Sequence, residues 1–332
     1  MDYNIINLNQ PSVWKHELTD IPHSYYHTWE YADAFKQEGK ENSFLLLIAD
    51  KKNKMVCALT KREKLSGYPE IFSPYGFGGV IFKNDKKGHQ AIYDTWLKFA
   101  NDNGIITAFT LQHPLLTQDN NWPGNIFKHH KTYSINLTNP LNELWGNLKK
   151  NHRYEIKRLS ENKSITISMD KNFLFPYAEQ LYSSTLKRVG ASSTYSFHSE
   201  TFKKLFFTPS SLVLGALMNG KVQAIILILH TLKTAEYFLN AVDKTEPNST
   251  KLLLWHAIDI LKKQNVEVFN LGGGVQSNDQ LSDFKRRFGG DENHSTIIKE
   301  VFDQRKYQYL CDYFKTSKDM TKGYFPSYWQ PT

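Results

Sequence analysis

Apolar residues fall in short blocks along most of the chain, and the spacing of those blocks predicts a mixed fold. Residues 44–49 and 55–61 are strand-like and are joined by a turn at 50–54; residues 29–37 and 91–100 have helical spacing. The second helix stops at Asn101 to Gly104, and a further strand is expected over 105–111. Later, 212–218, 222–230 and 236–242 are three strands, with Asn219-Gly220 as the hairpin signal between the first two. A helix over 250–262 and a strand over 266–271 complete that run, and between the halves the pattern predicts a helix at 141–159, a strand at 164–169 and a helix at 173–188. This is an α/β chain of the α+β kind, with mostly antiparallel strands flanked by helices. Leu137-Thr138-Asn139-Pro140 offers a turn and a helix start, so domains are expected at 1–138 and 139–332.

The richest stretch for chemistry is 266–290. Val266, Val268, Phe269 and Leu271 make a buried strand, Gly272, Gly273 and Gly274 open a turn, and a helix starting at 277–279 carries Phe284, Lys285, Arg286, Arg287 and Phe288. Glycine lets backbone approach a ligand closely. Free N–H groups at a helix start favour an anion, and three cations follow within two turns, so the stretch suits a phosphate or a developing oxyanion. A tight turn and a helix whose cations suit its C-terminal end, with Phe284 and Phe288 packed at i, i+4, accounts for the same residues.

Charge supports an anionic partner. The 332 residues carry 41 Lys and Arg against 33 Asp and Glu, a net +8, which favours a nucleotide, tRNA or acidic lipid headgroup. With 40% apolar, 22% charged and 14% aromatic residues the chain is globular rather than disordered. Only Cys57 and Cys311 occur, so neither a disulfide framework nor a zinc knuckle is indicated, and a reducing compartment fits. The first twenty residues are polar and lack a signal peptide's apolar core, and the run at 222–229 is too short to span a bilayer; a cytoplasmic location is expected. His23 with His27, and His129 with His130, lack a third ligand at metal spacing and are expected at the surface, so no metal site is assigned.

Three further places bear on binding. The helix 141–159 shows Leu144, Trp145, Leu148 and Ile156 to a core and repeats positive charge through Lys149, Lys150, Arg153, Lys157 and Arg158, which suits either a polyanion or a solvated face. The helix ending Leu186-Lys187-Arg188-Val189-Gly190 puts cations at its C-terminus, as the dipole alone favours. Ser73-Pro74-Tyr75-Gly76-Phe77-Gly78-Gly79 is either a glycine-permitted bend or a substrate contact through its aromatics.

Taken in order, Tyr237-Phe238-Leu239-Asn240-Ala241-Val242-Asp243, Leu252-Leu253-Leu254-Trp255-His256-Ala257-Ile258, Asn270-Leu271-Gly272-Gly273-Gly274, Leu281, Phe284-Lys285 and Phe288-Gly289 resemble the second domain of the FemAB/FemX-like acyltransferases. His27-Thr28-Trp29-Glu30-Tyr31-Ala32 and the Tyr75 loop resemble the family's first domain, and the helix from Trp145 to Arg158 is similar to the one that opens its second. The resemblance implies two tandem GNAT-like domains. It also implies direct acyl or aminoacyl transfer, forming an amide on a cell-envelope precursor, a peptidoglycan peptide or a surface-polysaccharide sugar. The donor would be aminoacyl-tRNA or acyl-CoA, with no tightly bound cofactor, no DNA partner, and a position that allows peripheral contact with the inner membrane face. Lys285 matches the family lysine thought to stabilise the oxyanion or the donor's terminal ribose. Asp243 or Tyr237 would take or orient the amine proton. Arg153, Arg158, Arg188, Asn240, Gly272, Gly273, Gly274, Arg286 and Tyr75 are the candidate substrate and donor contacts. The segment 243–250, where a GNAT enzyme holds the coenzyme A pyrophosphate, contains no glycine and adds Glu246, which favours aminoacyl-tRNA over coenzyme A. No Gly-x-Ser-x-Gly elbow occurs, so transfer without a covalent enzyme intermediate is expected. Two other readings stay open: N-acylation of an amino sugar or nucleotide sugar from acyl-CoA, and a non-catalytic RNA-binding GNAT pair using the basic helix.

Overall fold

A computed structural model describes every residue except 41, 84–87, 117–121, 193–194, 244–248, 275–278, 322 and 331–332. The chain packs as two compact units, residues 1–130 with 294–332, and residues 131–293.

The first unit begins with strand β1 (Asp2–Asn7), helix α1 (Pro11–Leu18), the short helix α2 (Trp29–Ala34), and strands β2 (Ser43–Ala49), β3 (Lys54–Glu63), β4 (Pro69–Phe72) and β5 (Ile81–Lys83). Helix α3 (His89–Asp102) and strand β6 (Thr107–Leu111) follow. Strand β2 is a continuous apolar run because both of its faces are covered. Phe44, Leu46 and Ile48 pack with Trp96 and Phe99 of α3, and Leu45 and Leu47 with Trp14 and Leu18 of α1. His27, expected at the surface, is buried instead; its ring nitrogens lie 2.9 Å from Ser24 Oγ and Gly79 O, and burial pushes its pKa down to about 3.

The chain enters the second unit along strand β7 (Ile126–Asn136). Helices α4 (Leu141–Asn147) and α5 (Lys150–Ser160), strand β8 (Ile165–Ser168), helices α6 (Lys171–Val189) and α7 (Ser199–Phe207), and strands β9 (Ser211–Met218), β10 (Lys221–His230) and β11 (Thr234–Val242) follow. Helix α8 (Ser249–Lys263), strand β12 (Val268–Gly272) and helix α9 (Gln280–Arg286) end the unit. Helix α8 buries Leu252, Leu253, Leu254, Ala257, Ile258 and Leu261 against β9, β10 and β12, forming the core. Trp255 sets its ring edge-on to Trp145, with centroids 4.9 Å apart, which seats α4.

Strand β13 (Asp291–Val301) carries the chain back, and helix α10 (Gln304–Tyr313) closes it. Residues 294–332 therefore belong with the first unit, not with the second domain expected at 139–332. The cause is packing: β13 pairs with β6 from Ile297↔Leu111 to Val301↔Thr107, and Tyr307, Leu310 and Cys311 of α10 bury against Ile106, Phe325 and Tyr328.

The two units share one strand plan. The first runs β1-β2-β3-β4-β6-β13 and the second β8-β9-β10-β11-β12-β7, each antiparallel except for one parallel pair, β4 with β6 and β11 with β12. This is the tandem GNAT-like plan that the sequence resemblance implies. Among the described residues no helix is long and apolar enough to cross a membrane.

Candidate functional site

The site grows out of the one parallel pair in the second unit. Strands β11 and β12 pair only from Thr234↔Val268 to Glu236↔Asn270. Beyond that point Leu239 to Val242 continue along β10, while Gly272 pairs with Tyr133 of β7. The two strands part company, and the glycine turn and α9 fold into the place where they do. Gly272 sits at φ +70°, and a Cβ on Gly273 would lie 2.1 Å from the Lys131 carbonyl oxygen, so that approach needs a residue without a side chain.

Helix α9 aims its cations in different directions. Lys285 points inward, 8% exposed; its Nζ donates to the Gly273 carbonyl at 2.8 Å and lies 5.7 Å from the centre of the Tyr237 ring. Desolvation pushes its pKa down to about 8, against a smaller upward pull from Asp279. Arg286 and Arg287 point outward and pair with Asp283 of their own helix. At the start of α9 the Asp279 carboxylate accepts from Ser282 N at 2.7 Å, so one of the helix's first N–H groups is already taken.

The other predicted residues disperse. Burial raises the Tyr237 phenol above its ordinary range, which keeps it protonated at neutral pH. Asp243 follows β11's last residue, six positions beyond Tyr237 in the chain. Arg188, at the end of α6, donates both Nη atoms to the Val242 carbonyl at 3.3 Å, and Asn240 Oδ1 accepts from Thr250 Oγ1 at 3.1 Å. Asp243, Arg188 and Asn240 thus gather at the far end of β11. Residues 244–248, where coenzyme A and tRNA donors were to be told apart, lie outside the described residues, as do 275–278.

The basic helix expected over 141–159 is two helices. Leu148 and Lys149 are extended, at ψ 139° and 146°, because Lys149 N donates to the carbonyl of Arg287, the residue that caps α9, rather than up its own helix. Arg153 Nη1 spans the break, donating to Gly146 O at 2.6 Å and Leu148 O at 2.5 Å, so it braces backbone. Arg158 pairs with Glu155 at 2.8 Å on the surface of α5. Tyr75 lies in the first unit, its carbonyl accepting from Tyr31 Oη at 2.6 Å and its ring stacked on Phe35.

Two residues at the site escape the sequence reading. His152 is 2% exposed; its Nε2 lies 3.2 Å from the Phe284 carbonyl and its ring packs on Phe284 and Phe288. Burial chiefly, then Lys251, pushes its pKa down to about 4. Its place in the sequence four residues before Ile156 is the signal that it faces inward. Glu236, an acid at the head of the apolar run Tyr237-Phe238-Leu239, is 1% exposed and accepts from Asn270. A cavity of about 460 Å³ opens between α6 and α7, and none of the sequence-predicted site residues lines it.

No protein-family model matches the chain, and no curated protein matches it in sequence. Solved structures do match its fold. FemX superposes with a TM-score of 0.69 at 11% identity, over 93% of this chain and 99% of its own. L-PGS from Bacillus licheniformis gives 0.58 at 12% over 90% and 94%, and the C-terminal domain of a putative lysylphosphatidylglycerol synthetase from Agrobacterium fabrum gives 0.55 at 14% over 87% and 92%. The fold is therefore that of FemX and these synthetases.

Proposed function

We propose that the second unit catalyses acyl or aminoacyl transfer to an amine of a cell-envelope precursor. The observation that carries this reading is Lys285, a cation turned inward where β11 and β12 part and held there by the Gly273 carbonyl. In the reaction the amine attacks the donor's ester or thioester carbonyl, a C–N bond forms, and the oxygen takes negative charge. Lys285 stabilises that oxyanion with a hydrogen bond of the charge-assisted kind, which is strong in a desolvated setting. The centre then collapses, the C–O or C–S bond breaks, and the amine proton leaves with the alcohol or thiol. With a pKa near 8, Lys285 is protonated at neutral pH and so begins as a donor. Tyr237, protonated beside it, offers a second donor, and the sequence contains no nucleophile elbow for a covalent intermediate.

Aminoacyl-tRNA is the preferred donor. The segment 243–250, which contains no glycine and adds Glu246 where a coenzyme A pyrophosphate would lie, supports this choice, and the net charge of +8 suits an anionic donor. Thermal unfolding with acetyl-CoA, a UDP-linked cell-wall precursor and charged tRNA tests the reading, because a ligand of the folded state raises the midpoint. Stabilisation by the precursor or charged tRNA, with transfer abolished in Lys285→Ala, is expected. Stabilisation by acetyl-CoA alone moves the reading to an acyl-CoA-dependent N-acyltransferase. Salt-sensitive RNA binding with no transfer, unaffected by Lys285→Ala, replaces it with an RNA-binding protein.

A further inference from the structure

The last residues joined across β11 and β12 are polar and buried: Glu236 is 1% exposed and Asn270 2%. Asn270 Nδ2 donates to Glu236 Oε2 at 2.8 Å, and Asn270 Oδ1 accepts from Gly272 N at 2.9 Å. With its nitrogen donating to the Glu236 carboxyl oxygen, the Asn270 amide turns its own oxygen toward Gly272. That bond fixes the backbone where it enters the left-handed turn at Gly272. One residue on, the Gly273 carbonyl receives the Lys285 ammonium. Glu236, Asn270, the Gly272–Gly273 backbone and Lys285 are thus four links joined by three hydrogen bonds. Polar groups buried this deeply are costly unless hydrogen-bonded, and here each is held by the next along the chain of bonds.

We infer that Glu236 and Asn270 are positioning residues, which set the Gly273 carbonyl and through it the place of the Lys285 ammonium at the reacting centre. The inference rests on the reading of Lys285 as the group that meets the oxyanion. It assigns neither residue a contact with substrate.

Its test reads Lys285 directly. In full-length protein labelled with ¹³C-lysine, the Lys285 Cε signal is identified by its loss in Lys285→Met and titrated in the wild type, Asn270→Ala, Glu236→Ala and Glu236→Gln. Losing the turn costs the ammonium its acceptor, which disfavours the charged form, so the midpoint falls by about half a unit or more in Asn270→Ala and Glu236→Ala. Glu236→Gln keeps an oxygen for Asn270 and restores the wild-type midpoint. Variants that lower the unfolding temperature yet leave the Lys285 titration unchanged overturn the inference; if Asn270→Ala does not fold, the Glu236 pair decides alone. The transfer assay separates the two levels. Loss of transfer in Lys285→Ala with unmoved titrations sinks the positioning role alone, whereas shifted titrations with transfer indifferent to Lys285 sink the reading beneath it.

Discussion

Replacing Lys285 by Met removes a charge that the fold holds at a cost. The free energy follows from the shift: 10.5 to about 8 corresponds to roughly 3 kcal/mol disfavouring the protonated form in the folded state. A lysine whose folded pKa is lowered carries the whole of this penalty below pH 8 and sheds it as pH rises toward 10.5, because the folded protein releases its proton before the unfolded chain does. Against the gain stands the Gly273 carbonyl, which loses its donor at a cost of about 1–3 kcal/mol. At pH 7 Lys285→Met is therefore expected to be as stable as the wild type or up to about 2 kcal/mol more stable, while transfer is lost. The pH dependence is the sharper quantity. Between pH 7 and 9.5 the wild type should gain about 2 kcal/mol relative to the variant, and every other titrating group cancels in the difference. Urea unfolding followed by tryptophan fluorescence at pH 7, 8.5 and 9.5 measures it. A difference flat across that range refutes the argument, since it means that the ammonium is as well solvated in the folded protein as outside it.

Gly273→Ala places a methyl 2.1 Å from a backbone oxygen and should cost about 1–3 kcal/mol, read as a lower melting temperature; a wild-type midpoint would show that the turn yields freely. Arg153→Met removes two bonds to backbone carbonyls and is expected to lower stability by about 1–3 kcal/mol without a selective loss of donor affinity, measured by urea unfolding beside tRNA binding. His152, held near pKa 4, is neutral in the fold, so its contribution is lost as pH falls from 6.5 toward 4. His152→Gln should flatten the fall in melting temperature over that window.

The strands that the sequence reveals are those whose burial shows in composition. Apolar β2 and β10 were visible because side chains cover them on both faces, and the hairpin at Asn219-Gly220 because asparagine and glycine accept its backbone. Strands β7 and β13 were not, since Lys128-His129-His130-Lys131 and Asp291-Glu292-Asn293-His294 carry no alternation and owe their form to partners distant in the chain. The break between α4 and α5 has neither proline nor glycine to announce it. The carbonyl of Arg287, which caps α9 more than a hundred residues away, makes it. At the site, the identity of Lys285 was legible but its isolation from Arg286 and Arg287 was not. Neighbours in a helix point about 100° apart, and only packing decides which of them faces the core. The chain from Glu236 to Gly273 was hidden because single buried acids look like surface residues until their partners are placed.

Each unit is finished by a strand that belongs, in chain order, to the other half: β7 follows the first set of strands and completes the second, and β13 follows the second and completes the first. This is the connectivity of a domain-swapped dimer written into one polypeptide. A gene cut between codons 138 and 139 would yield one piece without the strand that borders β6 and another without the strand that borders β12. Neither piece would hold a complete sheet of the shared plan, so the exchanged strands tie the two units together as firmly as the chain itself does.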